Sequence, residues 1–395
     1  LSGANLILGS ATPRITQYFS ARRGDIKLLS LPNRILAHRG ETAQPGKPEE
    51  LLTLELPKVT VVDMRAELRA GNSSVLSKML RDKLALTLQA GQQAILFLNR
   101  RGKATYVFCR QCGYTLRCPR DDQPLVYHGS KQSLICHLCG YTRQMPRKCL
   151  ECGSTQIRQL GLGTERLEEV VQKEFPGARL LRWDTDTTRH KGEHELILSH
   201  FSAHRADVLI GTQMLAKGLD LPLVTLVGIV LAEVGLNLPD YHAAERSFQV
   251  LTQVAGRAGR SPLGGQVVLQ TYQPENYVIQ AASRHDFEGF YLQELELRKA
   301  LNYPPYSRLI RLEYRHSIES KAESQARTMA DLLRAEISAR EMRQTSFIGP
   351  VPAYYRKVAG QFRWQIILRG PNPRPLLDAL PLRGWQVQID PSDLL

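Results

Sequence analysis

The chain has 395 residues, 43% hydrophobic and 23% charged, far from the composition of disordered chains and too long for one core at about 150 residues per domain. Its 52 Lys and Arg against 38 Asp and Glu leave a net charge of +14, which favours a polyanionic partner over an acidic small molecule. No run approaches the roughly 18 apolar residues of a membrane span, and the first ten residues lack the basic start of a signal peptide, so a cytosolic protein is expected.

Leu1 and Ser2 lead into Asn5 to Leu8, predicted as a strand, and then into Gly9-Ser10-Ala11-Thr12-Pro13, with no initiator methionine. A piece of a longer protein is expected. A helix is predicted over Arg14 to Arg22, a short strand over Ile26 to Leu31, and a connecting loop over Gly40 to Glu50, whose Pro and Gly break regular structure. A new rhythm follows: strand Val59–Val62, helix Ser77–Ala90, and the wholly apolar strand Ala94–Leu98. It resumes with helix Thr164–Phe175, strand Leu180–Trp183, helix His194–Ser202, strands Val208–Ile210 and Leu226–Leu231, helix His242–Val254 and strand Gln266–Thr271. Such alternation predicts an α/β lobe around a parallel sheet. Residues 108–154, rich in Cys, Gly, Pro and Arg, read as an insertion. Beyond Gln273 a helix over Asp286–Ala300, a strand over Leu309–Tyr314, a helix over Ser320–Glu341 and strands near Phe347 and Gln365–Leu368 predict a separate α+β domain of ferredoxin-like order. The expected units are 1–35, the end of a first lobe; 36–57, a linker; 58–107 with 155–275, a second lobe; 108–154, the insertion; and 276–395, the carboxyl-terminal domain.

Cys109/Cys112, Cys136/Cys139 and Cys149/Cys152 form three C-x-x-C pairs, each able to present two thiolates to a tetrahedral Zn²⁺. Seven cysteines clustered in one window of a cytosolic chain point to metal rather than disulfides. With Cys118 they stop one ligand short of two four-cysteine sites. Nested pairing is the expected connectivity: Cys109 and Cys112 with Cys149 and Cys152, and Cys118 with Cys136 and Cys139. At the knuckle spacing the partner of Cys118 falls on Asp121, with Asp122, His128, His137 or water as alternatives.

Two further runs carry chemistry. Gly211-Thr212-Gln213-Met214-Leu215-Ala216-Lys217-Gly218-Leu219-Asp220 follows a buried strand. Gln253-Val254-Ala255-Gly256-Arg257-Ala258-Gly259-Arg260 ends a helix, and its two guanidinium forks can neutralise charge on a transferring γ-phosphoryl group. Asn99-Arg100-Arg101-Gly102, at the carboxyl end of a strand, is a candidate grip for a DNA phosphate or else a solvated basic turn. Tyr354-Tyr355-Arg356-Lys357 and Gln361-Phe362-Arg363-Trp364 interleave aromatics with cations in a predicted hairpin, either a surface that stacks bases or a sheet with its rings packed inward.

Taken in order, S-A-T-P, I-L-F-L-N-R-R-G, the C-x-x-C-G-Y repeats, G-L-G-T-E, D-T-D-T-T, G-T-Q-M-L-A-K-G and Q-V-A-G-R-A-G-R closely resemble the PriA (primosomal protein N′) family of replication-restart helicases. The resemblance implies a RecA-like superfamily 2 motor lobe with an inserted zinc module. It also implies a 3′-to-5′ ATP-dependent DNA helicase that recognises stalled forks and D-loops and starts reloading of the replicative helicase, with branched and single-stranded DNA, primosome proteins and single-stranded DNA-binding protein as partners. By position, Arg257, Arg260 and Gln253 would face ATP, Gly218 and Asp220 would line the nucleotide cleft, and Thr212 and Gln213 would lie toward DNA; the resemblance also favours DNA contact by Arg363 and Trp364, beside the candidate loop at Asn99 and Arg100. Two zinc ions are implied, the eighth ligand falling on Asp121. No G-x-x-x-x-G-K-[ST] loop or D-E-x-H pair occurs in the 395 residues, so the chain alone is expected not to hydrolyse ATP with Mg²⁺. A non-catalytic DNA-binding assembly protein is the alternative, and a zinc ribbon without a motor would leave the paired arginines unexplained.

Overall fold

The computed structural model describes residues 4–31, 56–99, 106–120, 123–128, 132–137, 139–159, 162–184, 192–212, 221, 223–258 and 264–394. The first element is helix α1 (Ile15–Arg22). Asn5–Leu8 and Ile26–Leu31, predicted as strands, are not strands. Leu6, Ile7, Leu29 and Leu31 are exposed, and neither segment has a ladder partner among the described residues. An apolar run becomes a strand only where a neighbouring strand takes up its N–H and C=O groups.

The sheet begins at β1 (Lys58–Asp63), which runs into helix α2 (Met64–Arg69). Helix α3 (Lys78–Gln89) follows, capped by the Ser77 hydroxyl accepting the Leu80 N–H. Strand β2 (Gln93–Leu98) is buried along its whole length. Ala94, Leu96 and Leu98 face one core of the sheet and Ile95 and Phe97 the other, which is why its sequence reads as continuous apolar residues rather than alternation.

The insertion then supplies five short strands, β3 (Val107–Cys109), β4 (Val126–His128), β5 (Ser133–Ile135), β6 (Thr142–Gln144) and β7 (Ile157–Gln159), with β3 paired to β7 and β4-β5-β6 forming a small sheet. The α/β rhythm resumes with α4 (Thr164–Glu174), β8 (Leu180–Trp183), α5 (Glu193–Ser202), β9 (Val208–Gly211) and β10 (Val224–Val230), then α6 (Ala243–Ala258) and β11 (Gln266–Thr271). All six long strands are parallel, in the order β1-β11-β10-β2-β9-β8. Helix α6 buries Phe248, Leu251, Val254, Ala255 and Ala258 at helical spacing against one face.

Helices α7 (Tyr277–Ser283) and α8 (Phe287–Ala300) pack on this lobe rather than on the unit after it. Val278, Ile279 and Phe290 lie in the same core cluster as α6, and the Phe290 ring stacks on Phe248 at 4.3 Å. The remaining unit comprises β12 (Arg308–His316), α9 (Glu319–Ala339), the hairpin β13 (Ser346–Val358) and β14 (Gln361–Gly370), and β15 (Trp385–Ile389). Its sheet is antiparallel with order β13-β14-β12-β15. This is the split βαβ order of a ferredoxin-like fold, with a 3₁₀ turn at Arg374–Ala379 before the last strand. Among the described residues no helix is long and apolar enough to cross a membrane.

Candidate metal and motor sites

The three C-x-x-C-G pairs fold alike. The N–H of Gly113, Gly140 and Gly153 donates to the carbonyl of Cys109, Cys136 and Cys149 at 2.8, 2.9 and 3.0 Å, and each glycine has positive φ, where a side chain is strained. Cys118 begins a similar turn, its N–H donating to Gln123 O at 2.7 Å. These turns gather the Sγ atoms of Cys109, Cys112, Cys149 and Cys152 within 4.8 Å of one another, and those of Cys118, Cys136 and Cys139 likewise. The nested pairing is therefore the one formed. Sulfur separations of 3.7 Å for Cys109–Cys152 and Cys112–Cys149, and 3.6 Å for Cys118–Cys139, match the about 3.8 Å edge of a tetrahedron with 2.3 Å Zn–S bonds. Burial pushes the Cys109 and Cys112 thiols up, so their deprotonation needs a cation between them. Exposed Cys152, bonded by the Ser154 N–H, is held down. Both sets fit a metal ion, which would supply cross-links between turns too short to form a core of their own.

Asp121 and Asp122 lie outside the described residues. His128 and His137 do not join the inner thiols; their Nε2 atoms meet each other at 2.9 Å. His137 is buried against the Tyr354 ring at 5.2 Å, with Tyr354 on β13. Desolvation, with the neighbouring His128, brings its pKa down to about 4.

The outer set is bolted to the motor lobe. The Gln273 amide donates to Gly113 O at 3.1 Å and Thr115 Oγ1 at 2.8 Å. Arg110 Nε donates to the Tyr272 hydroxyl at 3.0 Å, and the Phe108 ring meets Tyr272 edge-on at 5.0 Å. Arg65, clamped on Asp63 by two bonds of 2.9 Å, reaches the Cys112 carbonyl at 3.4 Å. A Cβ at Gly113 would lie 2.1 Å from Tyr272 O, so only glycine permits this approach. Glu233, fully buried, accepts the Tyr272 N–H at 3.1 Å, and desolvation raises its pKa. Nothing in the sequence reading singled out Arg65, Glu233, Tyr272 or Gln273, because each acts through a distant partner.

The described residues among the candidate motor set, Thr212 and Arg257, fall at opposite ends of the parallel sheet. Thr212 follows the carboxyl end of β9, its N–H toward Trp183 O at 3.4 Å. Arg257 lies on the last turn of α6, buried at 7% exposure. That turn abuts the start of β11, since a Cβ at Gly265 would meet Ala258 O at 1.7 Å, so Arg257 sits at the amino-terminal pole. Gln253 is exposed on the same helix. Gln213, Gly218, Asp220, Arg100 and Arg260 lie outside the described residues.

Three residues read as candidate DNA contacts are turned inward. Asn99 is 1% exposed, and its amide points to Ala232 O at 3.4 Å. Arg363 and Trp364 are both 7% exposed. The Arg363 guanidinium forks onto Glu313 of β12 at 3.0 and 2.6 Å, and Trp364 packs on Ala322 and Ala326 of α9. At Arg363 and Trp364 the hairpin is a two-sided core strand, because adjacent residues on β14 face opposite layers and both are covered there, whereas Tyr355 is exposed and Lys357 Nζ lies 4.7 Å from the half-buried Phe362 ring. Glu245 was missed although it was readable: an acid three residues before Phe248 on the apolar stripe of α6 marks a buried charge that needs partners.

Comparison with known proteins places these features. A family model described as the primosomal protein N C-terminal domain matches residues 299–392, and one described as the helicase conserved C-terminal domain matches residues 130–262. The replication restart protein PriA of Bacillus subtilis (strain 168) is 43% identical over 364 residues, 92% of this chain and 43% of that protein. The PriA of Synechocystis sp. is 43% identical over 393 residues, 98% and 45%, and that of Haemophilus influenzae 35% over 405 residues, 99% and 52%. Among solved structures the helicase domain of Pyrococcus furiosus Hef aligns over 49% of this chain and 24% of its own at 18% identity and a TM-score of 0.24, too low to add to the sequence match. The chain spans about half the length of the curated relatives it matches. On this footing, with one primosomal and one helicase family match and relatives at 35–43% identity across nearly all of its residues, the chain belongs to the PriA family.

Proposed function

We propose that the chain is the second motor lobe, zinc module and carboxyl-terminal domain of an ATP-dependent 3′-to-5′ DNA helicase that acts in replication restart at stalled forks and D-loops. In this reading residues 58–107 and 155–275 form the lobe, 108–154 the module, whose paired strands β3 and β7 reach to 107 and 159, and 276–395 the last domain, although its first helices α7 and α8 pack on the lobe, with 1–35 the end of a first lobe and 36–57 a linker. Arg257 and Arg260, accompanied by Gln253, stabilise the charge on the γ-phosphoryl group of ATP-Mg²⁺, Arg257 doing so from the sheet's amino-terminal pole, and Gly218 and Asp220 line the nucleotide cleft. Thr212, at the other pole, and Gln213 after it in sequence meet DNA. Four thiolates hold one zinc, and Cys118, Cys136 and Cys139 hold a second with Asp121 as the fourth ligand. Primosome proteins and single-stranded DNA-binding protein are the partners this reading implies.

The observation that carries the reading is the four-thiolate turn locked onto the end of β11 by Gln273, Tyr272 and Arg65, which makes the module a part of the motor rather than an appendage. In the full-length gene product, Arg257→Ala should lower DNA-stimulated ATP hydrolysis by about 10³-fold, the scale of an arginine finger, while DNA affinity stays within a factor of two or so. Hydrolysis that survives the substitution would remove the motor assignment and leave a DNA-binding assembly module.

A further inference from the structure

Helix α6 carries more than its arginine. Glu245, in its first turn, is 3% exposed, and both carboxylate oxygens are used. Oε1 accepts the backbone N–H of Ile15 at 3.1 Å across 230 residues of sequence, and Oε2 accepts Arg298 Nη2 of α8 at 2.8 Å. Arg298, 2% exposed, also donates to Glu294 at 2.7 Å. One turn further along α6 the Gln249 amide donates to Thr12 O at 3.1 Å. Thr12 is 4% exposed and Ile15 is fully buried. The far side of α1 is held as well, with Tyr18 edge-on to Phe287 and Tyr291 at 5.0 and 4.8 Å and its hydroxyl donating to Glu288 at 2.7 Å.

Ile15 is the first residue of α1, and Arg14 before it supplies no side-chain cap. The N–H of Ile15 is thus one of the orphan donors of a helix start, and a carboxylate at that end is also favoured by the helix dipole. Glu245 provides that cap from another helix. A buried carboxylate is tolerated only when fully bonded and paired, and Arg298 completes the pairing.

We propose that Glu245 is the positioning residue that fastens the Ser10–Pro13 turn to α6, with Gln249 as its second fastening, so that the turn and Arg257 move as one body. The proposal rests on the motor reading above and adds its coupling element. From Glu245 to Arg257 is a single uninterrupted helix of about 18 Å at 1.5 Å per residue, stiffened by the Phe248–Phe290 stack. A displacement of the arginine turn is therefore transmitted to Ser10 and Thr12 without an intervening hinge, and Arg298 extends the same link to α8.

The test has two parts. In this chain, Glu245→Gln and Gln249→Ala should speed amide exchange over residues 12–19 by about fivefold to tenfold, the loss expected for one hydrogen bond, while exchange over 107–118 is unchanged. Gln249 is only half-buried, so its variant keeps the fold if Glu245→Gln does not. In the full-length gene product, both should lower kcat for DNA-stimulated hydrolysis about tenfold while KM for ATP and DNA affinity move less than about twofold. Unchanged exchange over 12–19 in both variants overturns the fastening. Normal kcat despite faster exchange overturns the coupling. Arg257→Ala run alongside keeps these outcomes separate from failure of the motor reading itself, which would show as hydrolysis surviving in that variant.

Discussion

Arg363 shows how one side chain can read as surface and fold as core. Its neighbours Gln361-Phe362 and Trp364 resemble a stacking platform, but Glu313 on the adjacent strand is 2% exposed and needs a counter-charge, so the guanidinium is drawn inward. Burial alone would raise the Glu313 pKa; the bonds from Arg363 and Arg315 overcome it and hold the carboxyl below its ordinary value. A depressed carboxyl contributes stability that is present above the unfolded value near 4.5 and is lost as pH falls through the folded value. Arg363→Ala should thus destabilise the carboxyl-terminal domain by about 3 kcal/mol at neutral pH, by stranding a buried charge. The deficit should shrink as the pH is lowered and Glu313 protonates. Denaturant unfolding of the variant and the parent at pH 7 and pH 4 measures this; an unchanged midpoint at pH 7 would put Arg363 back on the surface.

At the scale of elements, what could be read from the sequence is what local pattern determines. The all-apolar run of β2, the helical stripe of α6 and the C-x-x-C-G turns each carry their structure in consecutive residues. What could not be read depends on partners. Asn5–Leu8 and Ile26–Leu31 have strand composition without a strand beside them, α7 and α8 join the motor lobe because Phe290 finds Phe248, and β15 has too little alternation to announce an edge strand. The cysteine clusters divide the same way: spacing alone paired the cysteines, whereas the docking of Gly113 under Tyr272 is a contact across some 160 residues. That docking would tie a metal held by the outer cysteines to the parallel-sheet lobe. Chain purified without added zinc should carry between one and two zinc per molecule, with the four-thiolate site filled and the inner one set by Asp121. Stripping it with a strong chelator should speed exchange over residues 272–276 as well as over 107–118, while β10 stays protected. Zinc content near zero, or motor residues indifferent to the chelator, would refute the docked-module account.

For the whole molecule, the inward turn of Arg363 and Trp364 changes what the +14 charge must do. Base stacking is worth roughly 1 to 3 kcal/mol per base and is insensitive to salt, and the hairpin ring at Trp364 cannot supply it without unfolding the sheet. Asn99 is likewise unavailable for hydrogen bonding outward. In the proposed reading, binding of single strands would then fall mainly to phosphate contacts from exposed lysines and arginines, which release counterions. Each neutralised phosphate lowers the slope of log K against log salt by about 0.7 for single strands. A protein with this excess of cations and with the Trp364 ring turned inward, engaging about six phosphates, should show a slope near −4 with oligothymidine of some 20 nucleotides. Fluorescence anisotropy of this chain from about 50 to 200 mM salt, over which the Debye length falls from about 14 to about 7 Å, gives the slope directly. Trp364→Ala in chain that remains folded should leave it, and the affinity at fixed salt, within a factor of two or so, because a ring packed on Ala322 and Ala326 has no base to lose. A slope shallower than about −1, or a loss of tenfold or more on removing the ring, would mean that DNA opens the sheet and reads its inner face.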